Sequence, residues 1–91
     1  MSVAIATRVY GSEVRAALIG HYRQQPGSQQ DAIDQLALPQ HVVSKNVRIL
    51  VQAGVLTREQ KPGDARAGQY SVDEQRAREL IEALRIYCLG E

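Results

Sequence analysis

The sequence predicts a mainly helical fold with one small β-hairpin, and three observations support this prediction. Apolar residues recur with the spacing of one helical face in several separate segments. Ser, Asp or Pro, which are preferred at the start of a helix, precedes the longer of these segments. Two strand-like runs, residues 55–59 and 69–72, flank a tract that contains Pro-Gly-Asp. We therefore predict a three-helix core, a two-stranded hairpin and a C-terminal helix, in that order.

Length and composition are those of a single small domain spanning residues 1–91. The chain is 44% hydrophobic and 23% charged, which suits one globular core and leaves no room for a second. That core must be aliphatic, because the chain has no Phe, no Trp and only four Tyr residues. A core of this kind often gains stability by association with a second chain, so we expect a homodimer.

The N-terminal part of the chain is expected to form two helices. Residues 1–10 alternate like a strand but also suit a short helix, which we favour and assign as an N-terminal dimerisation segment. Ser12 is placed to cap the first long helix, which should end near Arg23. A Gln-Gln-Pro-Gly turn follows at residues 24–27.

Residues 28–54 are expected to form two further helices joined by a tight turn. Ser28 and Asp31 have the spacing of a capping box, and the helix that they begin should end close to Ala37. Pro39 suits the first turn of the next helix, and Gly54 suits its left-handed C-terminal cap.

The hairpin is expected at residues 55–72, with a long tip, and the C-terminal helix at residues 73–89. Ser71 or Asp73 can cap this helix. Its apolar face is larger than a three-helix core with a two-stranded hairpin is expected to cover, which indicates a contact with a second chain. The alternative is that this face only closes the core of its own chain. The residues assigned to that contact are Leu80, Ile81, Leu84, Tyr87 and Cys88.

The helix after Pro39 has two chemically different sides. Val43, Val47 and Leu50 lie on one of them. At about 100° per residue, the polar residues of the other side fall within an arc of about 140°. That arc contains no acidic residue, and its side chains can bond base edges or phosphates. The alternative is a face that is merely solvated. The residues of the arc are Gln40, His41, Ser44, Lys45, Arg48 and Gln52.

Basic residues are concentrated in the middle of the chain, although the formal net charge is only +1. Residues 40–70 carry five basic and two acidic residues, whereas residues 71–91 carry three basic and five acidic ones. A local basic surface of this kind can engage phosphates. Part of this basic surface falls on the predicted hairpin, at Arg58, Lys61 and Arg66. The alternative for these residues is an ordinary surface loop.

Two helices joined by a tight turn, the second with a polar face, form a helix-turn-helix, whose second helix enters the major groove of DNA. A hairpin directly after it is a wing. The prediction is therefore a winged helix-turn-helix domain with double-stranded DNA as its partner. The residues expected to read or flank bases are Gln40, His41, Ser44 and Lys45, and those expected to hold phosphates are Arg48, Arg58, Lys61 and Arg66.

Two runs of sequence carry a family resemblance. The run LALPQHVVSKNVRILVQAGVL, residues 36–56, resembles the recognition region of regulators of the ArsR type, in which a Ser and a basic residue precede a vLxxaGLV ending. Ser44 and Lys45 stand at that pair. The run RVYGSEVRAALI, residues 8–19, is similar to the Leu-Gly-Asp-Pro-x-Arg opening of the family's first long helix. With the second wing strand, the match covers about residues 8–88.

The resemblance implies a transcription regulator, in the first instance a repressor, whose terminal helices form a two-fold interface. A two-fold dimer predicts an operator that is an inverted repeat. Pro39, Asn46 and the pair Ala32-Ile33 depart from the family pattern of a Ser cap, a His and a Leu-Ala pair. Regulators of the MarR type share the same order of elements. A winged-helix module that binds proteins instead of DNA is the alternative function.

Other chemistries lack the residues that they need. A tetrahedral zinc site needs about four ligands, whereas the chain has one Cys and two His, so we expect no metal and no cofactor. No Gly-rich phosphate loop, paired carboxylates or Cys with a plausible base stands out, so we expect no enzymatic activity. With one cysteine, no signal peptide and no apolar run of membrane-spanning length, we expect a cytoplasmic protein.

Overall fold

The computed structural model describes residues 3–60 and 68–90, which form five helices and two strands. The helices are α1 (Val3–Tyr10), α2 (Glu13–Gln24), α3 (Gln29–Leu36), α4 (Gln40–Gln52) and α5 (Glu74–Leu89). The strands are β1 (Leu56–Gln60) and β2 (Gly68–Val72). The predicted order of elements is confirmed, and α1 agrees with the helical alternative for residues 1–10.

Side-chain caps determine where three of the helices begin. Ser12 and Asp73 each accept a hydrogen bond from the backbone N–H three residues further on, at 3.2 Å and 3.0 Å. Ser28 and Asp31 form the predicted capping box, in which each side chain accepts from the backbone N–H of the other residue. These bonds satisfy donors that have no partner within the helix. Of the two predicted caps of α5, Asp73 is therefore the one used.

Backbone conformation sets the turn between α3 and α4. Ala37 adopts a left-handed conformation, with φ 52°, and ends α3 at the predicted place. Pro39 lies just outside α4 as its N-cap, with φ −61° and ψ 148°, so the helix begins one residue later than predicted. Gly54, with φ 82°, follows the last turn of α4, where only glycine adopts this conformation without strain.

The two strands form the predicted antiparallel hairpin, with Leu56 opposite Val72. The predicted long tip is residues 61–68; residues 61–67 lie outside the described residues, and Gly68 belongs to β2 instead. Tyr70 exchanges two backbone hydrogen bonds with Gly27, at 3.1 Å and 2.7 Å. This bridge ties β2 to the turn before α3, so the hairpin is attached to the helix-turn-helix at a second point besides the chain connection from α4.

An aliphatic core that includes Tyr22 joins the elements, as the composition predicts. α1 packs against α5, and the hydroxyl of Tyr10 donates a hydrogen bond to the carbonyl of Ala77 at 2.8 Å. The largest fully buried side chains come from both ends of the chain and from its middle. They are Val9, Leu18, Tyr22, Val43, Val47, Leu50, Val55, Leu56 and Leu80.

The mainly helical winged helix-turn-helix fold predicted from the sequence is thus confirmed: α3 and α4 are the helix-turn-helix, and the hairpin after α4 is the wing. In the described part of the chain, no helix has both the length and the apolar character needed to cross a membrane.

Tyr22 makes the stability of this fold depend on pH in the alkaline range. The side chain has no exposed surface, and its hydroxyl donates to the carbonyl of Ser28 at 2.7 Å. Burial is the main reason why the pKa of Tyr22 is raised, because the phenolate would lose its hydration. The folded state therefore holds the proton more tightly than the unfolded state. The resulting stabilisation is complete below the ordinary tyrosine pKa of about 10 and is lost above it.

We expect the free energy of unfolding to decline as the pH rises above about 10, and Tyr22→Phe to make that decline shallower. Tyr87→Phe is the matched control, because Tyr87 is 71% exposed. Denaturant unfolding at a series of pH values measures both variants. An equally steep decline in Tyr22→Phe and wild type would contradict the role given to this phenol.

Candidate nucleic-acid interface

α4 separates an apolar side from a polar side, as its sequence predicts. Val43 and Leu50 have no exposed surface and Val47 is 1% exposed, so this side of the helix belongs to the core. Packing on that side holds the helix in place and therefore fixes the positions of the polar residues opposite. The residues that form this exposed face of α4 are Gln40, His41, Lys45, Arg48 and Gln52.

The cations beside and on this face have no acidic partner among the residues that the structure describes. The side chains of Lys45 and Arg48 form no hydrogen bond and no ion pair with the described residues, and the same holds for the side chain of Arg58 on β1. An unpaired guanidinium or ammonium group keeps its full charge available for an anionic ligand.

Arginines that pack along α5 show the opposite behaviour. Glu74 accepts a hydrogen bond from Arg23 and pairs with Arg78 at 3.4 Å, while Glu82 accepts from Arg85. The hydrogen bond from Arg23 is the largest cause that lowers the pKa of Glu74, and the bond from Arg85 lowers that of Glu82 in the same way. Acidic partners are thus present on α5 and absent from α4.

A groove of about 270 Å³ between α4 and the hairpin brings the two parts of the predicted interface together. Arg48 lines it from α4 and Arg58 lines it from β1, so two unpaired guanidinium groups share one groove. Guanidinium groups bind phosphate oxygens in a planar, bidentate geometry. The other lining residues are Gln29, Ser44, Val47, Val51 and Tyr70.

A chain of hydrogen bonds runs along this groove. The hydroxyl of Ser44 donates to Oε1 of Gln29 at 2.8 Å, and Nε2 of Gln29 donates to the hydroxyl of Tyr70 at 3.1 Å. Ser44 is half-buried, and its hydroxyl donates to Gln29, which leaves its oxygen lone pairs to accept a hydrogen bond from a ligand. Gln29 and Tyr70 were not predicted as site residues from the sequence, because their spacing carries no signal of a groove between three elements.

A glycine opposite β1 provides the space that Arg58 occupies. A Cβ atom at Gly68 would lie 2.5 Å from Nε of Arg58, which is closer than real Cβ contacts. The absence of a side chain at Gly68 therefore lets the guanidinium lie across β2. Lys61 and Arg66, the other predicted wing contacts, lie outside the described residues.

Apolar side chains are exposed on the two terminal helices. Ile5 on α1 is 40% exposed, and on α5 the exposed fractions of Ile81, Tyr87 and Leu89 are 52%, 71% and 69%. Because α1 packs against α5, these side chains belong to neighbouring helices. Large apolar side chains exposed on neighbouring helices are candidates for a protein contact surface.

The other residues predicted for the dimer contact differ in their burial. Cys88 is exposed, and Leu84 is half-buried against the core. Leu80 is 1% exposed and packs in the core of its own chain, so it is not accessible to a second chain. A dimer contact on α5 would therefore be formed by the more exposed residues of this helix and not by Leu80.

The two histidines lie on different helices. His41 is exposed on α4, whereas His21 on α2 is half-buried with its ring edge against Tyr22, at a centroid distance of 4.8 Å. Nε2 of His21 is buried and has no hydrogen-bond partner among the described residues. Within residues 3–60 and 68–90, no group of three or more His, Cys, Asp or Glu side chains could hold a metal ion.

No protein-family model and no curated protein matches this chain. Solved structures match it in fold. The match to MarR has a TM-score of 0.69 and 21% identity, and covers 90% of this chain and 63% of MarR. The match to a mutant of ZitR from Lactococcus lactis has a TM-score of 0.67 and 14% identity, and covers 87% of this chain and 54% of ZitR. The chain thus spans less than two thirds of the length of either protein.

The transcriptional repressor BigR from Xylella fastidiosa matches over more of its own length. The TM-score is 0.71 at 20% identity, and the match covers 93% of this chain and 84% of BigR. At these identities the likenesses show a shared fold, the winged helix-turn-helix that the sequence predicts. The individual DNA contacts stay predictions.

Proposed function

We propose that this chain is a sequence-specific regulator of transcription that binds double-stranded DNA, acting as a homodimeric repressor in the cytoplasm. The observation that carries the proposal is the exposed face of α4, whose cations have no acidic partner among the described residues and which borders the groove shared with Arg58. DNA is a polyanion that such a surface suits. The fold neighbours support this choice, since BigR is described as a transcriptional repressor.

The two ends of the interface would have different tasks. Gln40 and His41, in the first turn of α4, and Lys45, one turn further on, are exposed and can reach base edges in the major groove. Ser44 would accept a hydrogen bond from a base amino group, because its proton goes to Gln29. The phosphate contacts are assigned to Arg48, Arg58, Lys61 and Arg66.

The dimer contact is assigned to α1 and α5. Ile81 and Tyr87 are its central residues because each is more than half exposed, and Ile5, Leu84 and Cys88 extend it. A two-fold axis would place two copies of α4 on one face of the duplex. The operator would then be an inverted repeat with half-site centres about one helical turn, roughly 34 Å, apart.

Selection of bound sequences from a random pool of duplex DNA tests the function. Recovery of an inverted repeat would support both DNA recognition and the dimer. Recovery of an asymmetric site would support DNA recognition and contradict the two-fold arrangement. Absence of any binding at low salt would contradict the proposal and favour a winged-helix module that binds another protein.

Arg48→Ala and Arg58→Ala are each expected to weaken binding to selected and unrelated duplexes alike, and to lower the salt slope of the binding constant by roughly one unit. The reason is that both guanidinium groups would contact phosphates, which carry no sequence information. Arg85→Ala is the matched control, since Arg85 is exposed but pairs with Glu82 on α5. Fluorescence anisotropy at several salt concentrations measures the slopes. An unchanged salt slope in both variants would contradict the assignment of phosphate contacts to these arginines.

A further inference from the structure

Arg15 connects three helices through its guanidinium group. Nε donates to the carbonyl of Arg8 near the end of α1, and Nη1 donates to Oδ1 of Asn46 on α4, each at 2.7 Å. Nδ2 of Asn46 then donates to the carbonyl of Val42 one turn earlier in α4, at 2.8 Å. Apart from tyrosines, Asn46 is the only buried polar residue among the described residues, at 8% exposure. We call these contacts the Arg15–Asn46 bridge.

The position of Arg15 is unfavourable for its own helix. It lies in the first turn of α2, where the partial positive charge of the helix N-terminus disfavours a cation. The carbonyl of Arg8, in contrast, belongs to the last turn of α1, where the helix dipole favours a cation and where carbonyls lack helical partners. The contacts of Arg15 with α1 and α4 therefore account for its placement better than any benefit to α2.

The hydrogen bonds of the bridge also restrict the orientation of the side chains that form it. Both polar atoms of the Asn46 side chain are occupied, one as acceptor and one as donor, so the side chain has one favoured orientation. A guanidinium group presents its donors in a rigid plane. Rotation or translation of α4 relative to α1 would break at least one of these bonds and leave a buried amide unsatisfied, which is unfavourable.

We propose that the Arg15–Asn46 bridge is a positioning device for DNA recognition: it fixes the orientation of α4, and hence of its exposed face, relative to α1. The proposal rests on the proposed function, because α4 is taken as the helix that reads DNA and α1 as part of the dimer contact. In a dimer, the orientation of α4 relative to α1 sets the distance between the two recognition helices. Arg15 and Asn46 thus determine selectivity for the operator without touching it.

The test compares affinity for the selected duplex with affinity for an unrelated duplex. Arg15→Met and Asn46→Leu are each expected to reduce the ratio of these affinities about tenfold, and the double variant by no more than either single change, because the two residues act as one unit. Asn46→Asp should reduce the ratio less than Asn46→Leu, since a carboxylate still accepts from Arg15 although it cannot donate to the carbonyl of Val42. Tyr10→Phe is the matched control, because it removes a 2.8 Å hydrogen bond of α1 that does not involve α4.

A role limited to stability predicts other results. It would lower both affinities together, in proportion to the unfolded fraction, and leave their ratio unchanged. An unchanged ratio in both single variants would therefore overturn the proposal. A double variant whose loss is the product of the two single losses would also overturn it. If Arg15→Met fails to fold, Arg15→Lys replaces it. Lysine keeps the charge but cannot hold both acceptors in a planar geometry, and an unchanged ratio in Arg15→Lys would count equally against the bridge.

Amide hydrogen exchange separates failure of the bridge from failure of the proposed function. Arg15→Met, or Arg15→Lys in its place, is expected to accelerate exchange in α4 and at the end of α1 more than Tyr10→Phe does. If wild type binds no duplex, the proposed function fails, and the exchange data still decide whether the bridge orients α4. Equal exchange in the arginine variant and the control would overturn the bridge.

Discussion

Leu50→Ala is expected to lower the free energy of unfolding by about 2–5 kcal/mol. Leu50 has no exposed surface and lies on the side of α4 that packs into the core. The substitution removes buried methyl groups and leaves a cavity that the surrounding side chains can fill only in part. Since small domains are stable by only about 5–15 kcal/mol, this loss is a large share of the total.

Denaturant unfolding followed by circular dichroism, at one fixed protein concentration, measures this loss. Gln52→Ala is the matched control, because Gln52 is exposed on the same helix and its replacement should change stability by no more than about 0.5 kcal/mol. Similar losses in the two variants would contradict the division of α4 into a core side and a solvent side. A clear difference would show that α4 can be changed on its exposed face without loss of the fold, as the DNA-binding variants require.

The helix boundaries could be predicted from the sequence because their causes are local. The capping box joins Ser28 to Asp31, three residues away, and Gly54 adopts the positive φ that its lack of a side chain permits. The start of α4 differed from the prediction by one residue at Pro39. Its fixed φ suits both an N-cap and a first helical residue, and only ψ, 148° in the structure, distinguishes them.

The hydrogen bonds that shape the candidate site could not be predicted, because their partners lie far apart in the chain. Arg15 and Asn46 are separated by 31 residues, and Gln29 and Tyr70 by 41. Hydrophobic periodicity indicates which side of a helix faces the core. It does not indicate which residue of another element will meet that side. Asn46 therefore looked like a departure from a family pattern, whereas the structure shows it as the partner of Arg15.

The extent of the core along α5 could not be predicted either. Leu80 and Tyr87 are two turns apart and fall on similar sides of the helix, yet they are 1% and 71% exposed. The apolar pattern repeats along the whole helix, whereas burial does not: Ala77, Leu80 and Ala83 are buried, and Tyr87 and Leu89 are exposed. The same pattern thus contributes both to the core and to an exposed surface of α5.

Ile81→Glu and Tyr87→Glu, combined in one variant, are expected to convert the proposed dimer into folded monomers. Both side chains are more than half exposed in a single chain, at 52% and 71%, so glutamates at these positions would remain hydrated and cost little in folding. In a two-fold interface the same carboxylates would lose their hydration, and the nearest cations on α5, Arg78 and Arg85, already pair with Glu74 and Glu82. Burial of an unpaired charge costs several kcal/mol, which is enough to separate the subunits at micromolar concentration.

Loss of the dimer should weaken binding to the inverted repeat by about 100-fold or more, because the second half-site contact is no longer intramolecular. Binding to an isolated half-site should change little, since α5 carries none of the proposed DNA contacts. Sedimentation measures the oligomeric state and anisotropy measures both affinities. Gln75→Glu is the control for the added charge, because it places one further glutamate at an exposed position of α5 outside the apolar surface.

Leu80→Glu completes the comparison, because Leu80 is adjacent to Ile81 in sequence but is 1% exposed. It is expected to unfold the chain, and circular dichroism should show this directly. If the Ile81→Glu and Tyr87→Glu variant also unfolds, the surface assigned to the dimer contributes to the stability of a single chain instead. If the Ile81→Glu and Tyr87→Glu variant folds, but wild type sediments as a monomer and binds an asymmetric site, the two-fold model is contradicted. A folded monomeric variant with lost operator affinity is the result expected if α5 provides the dimer contact.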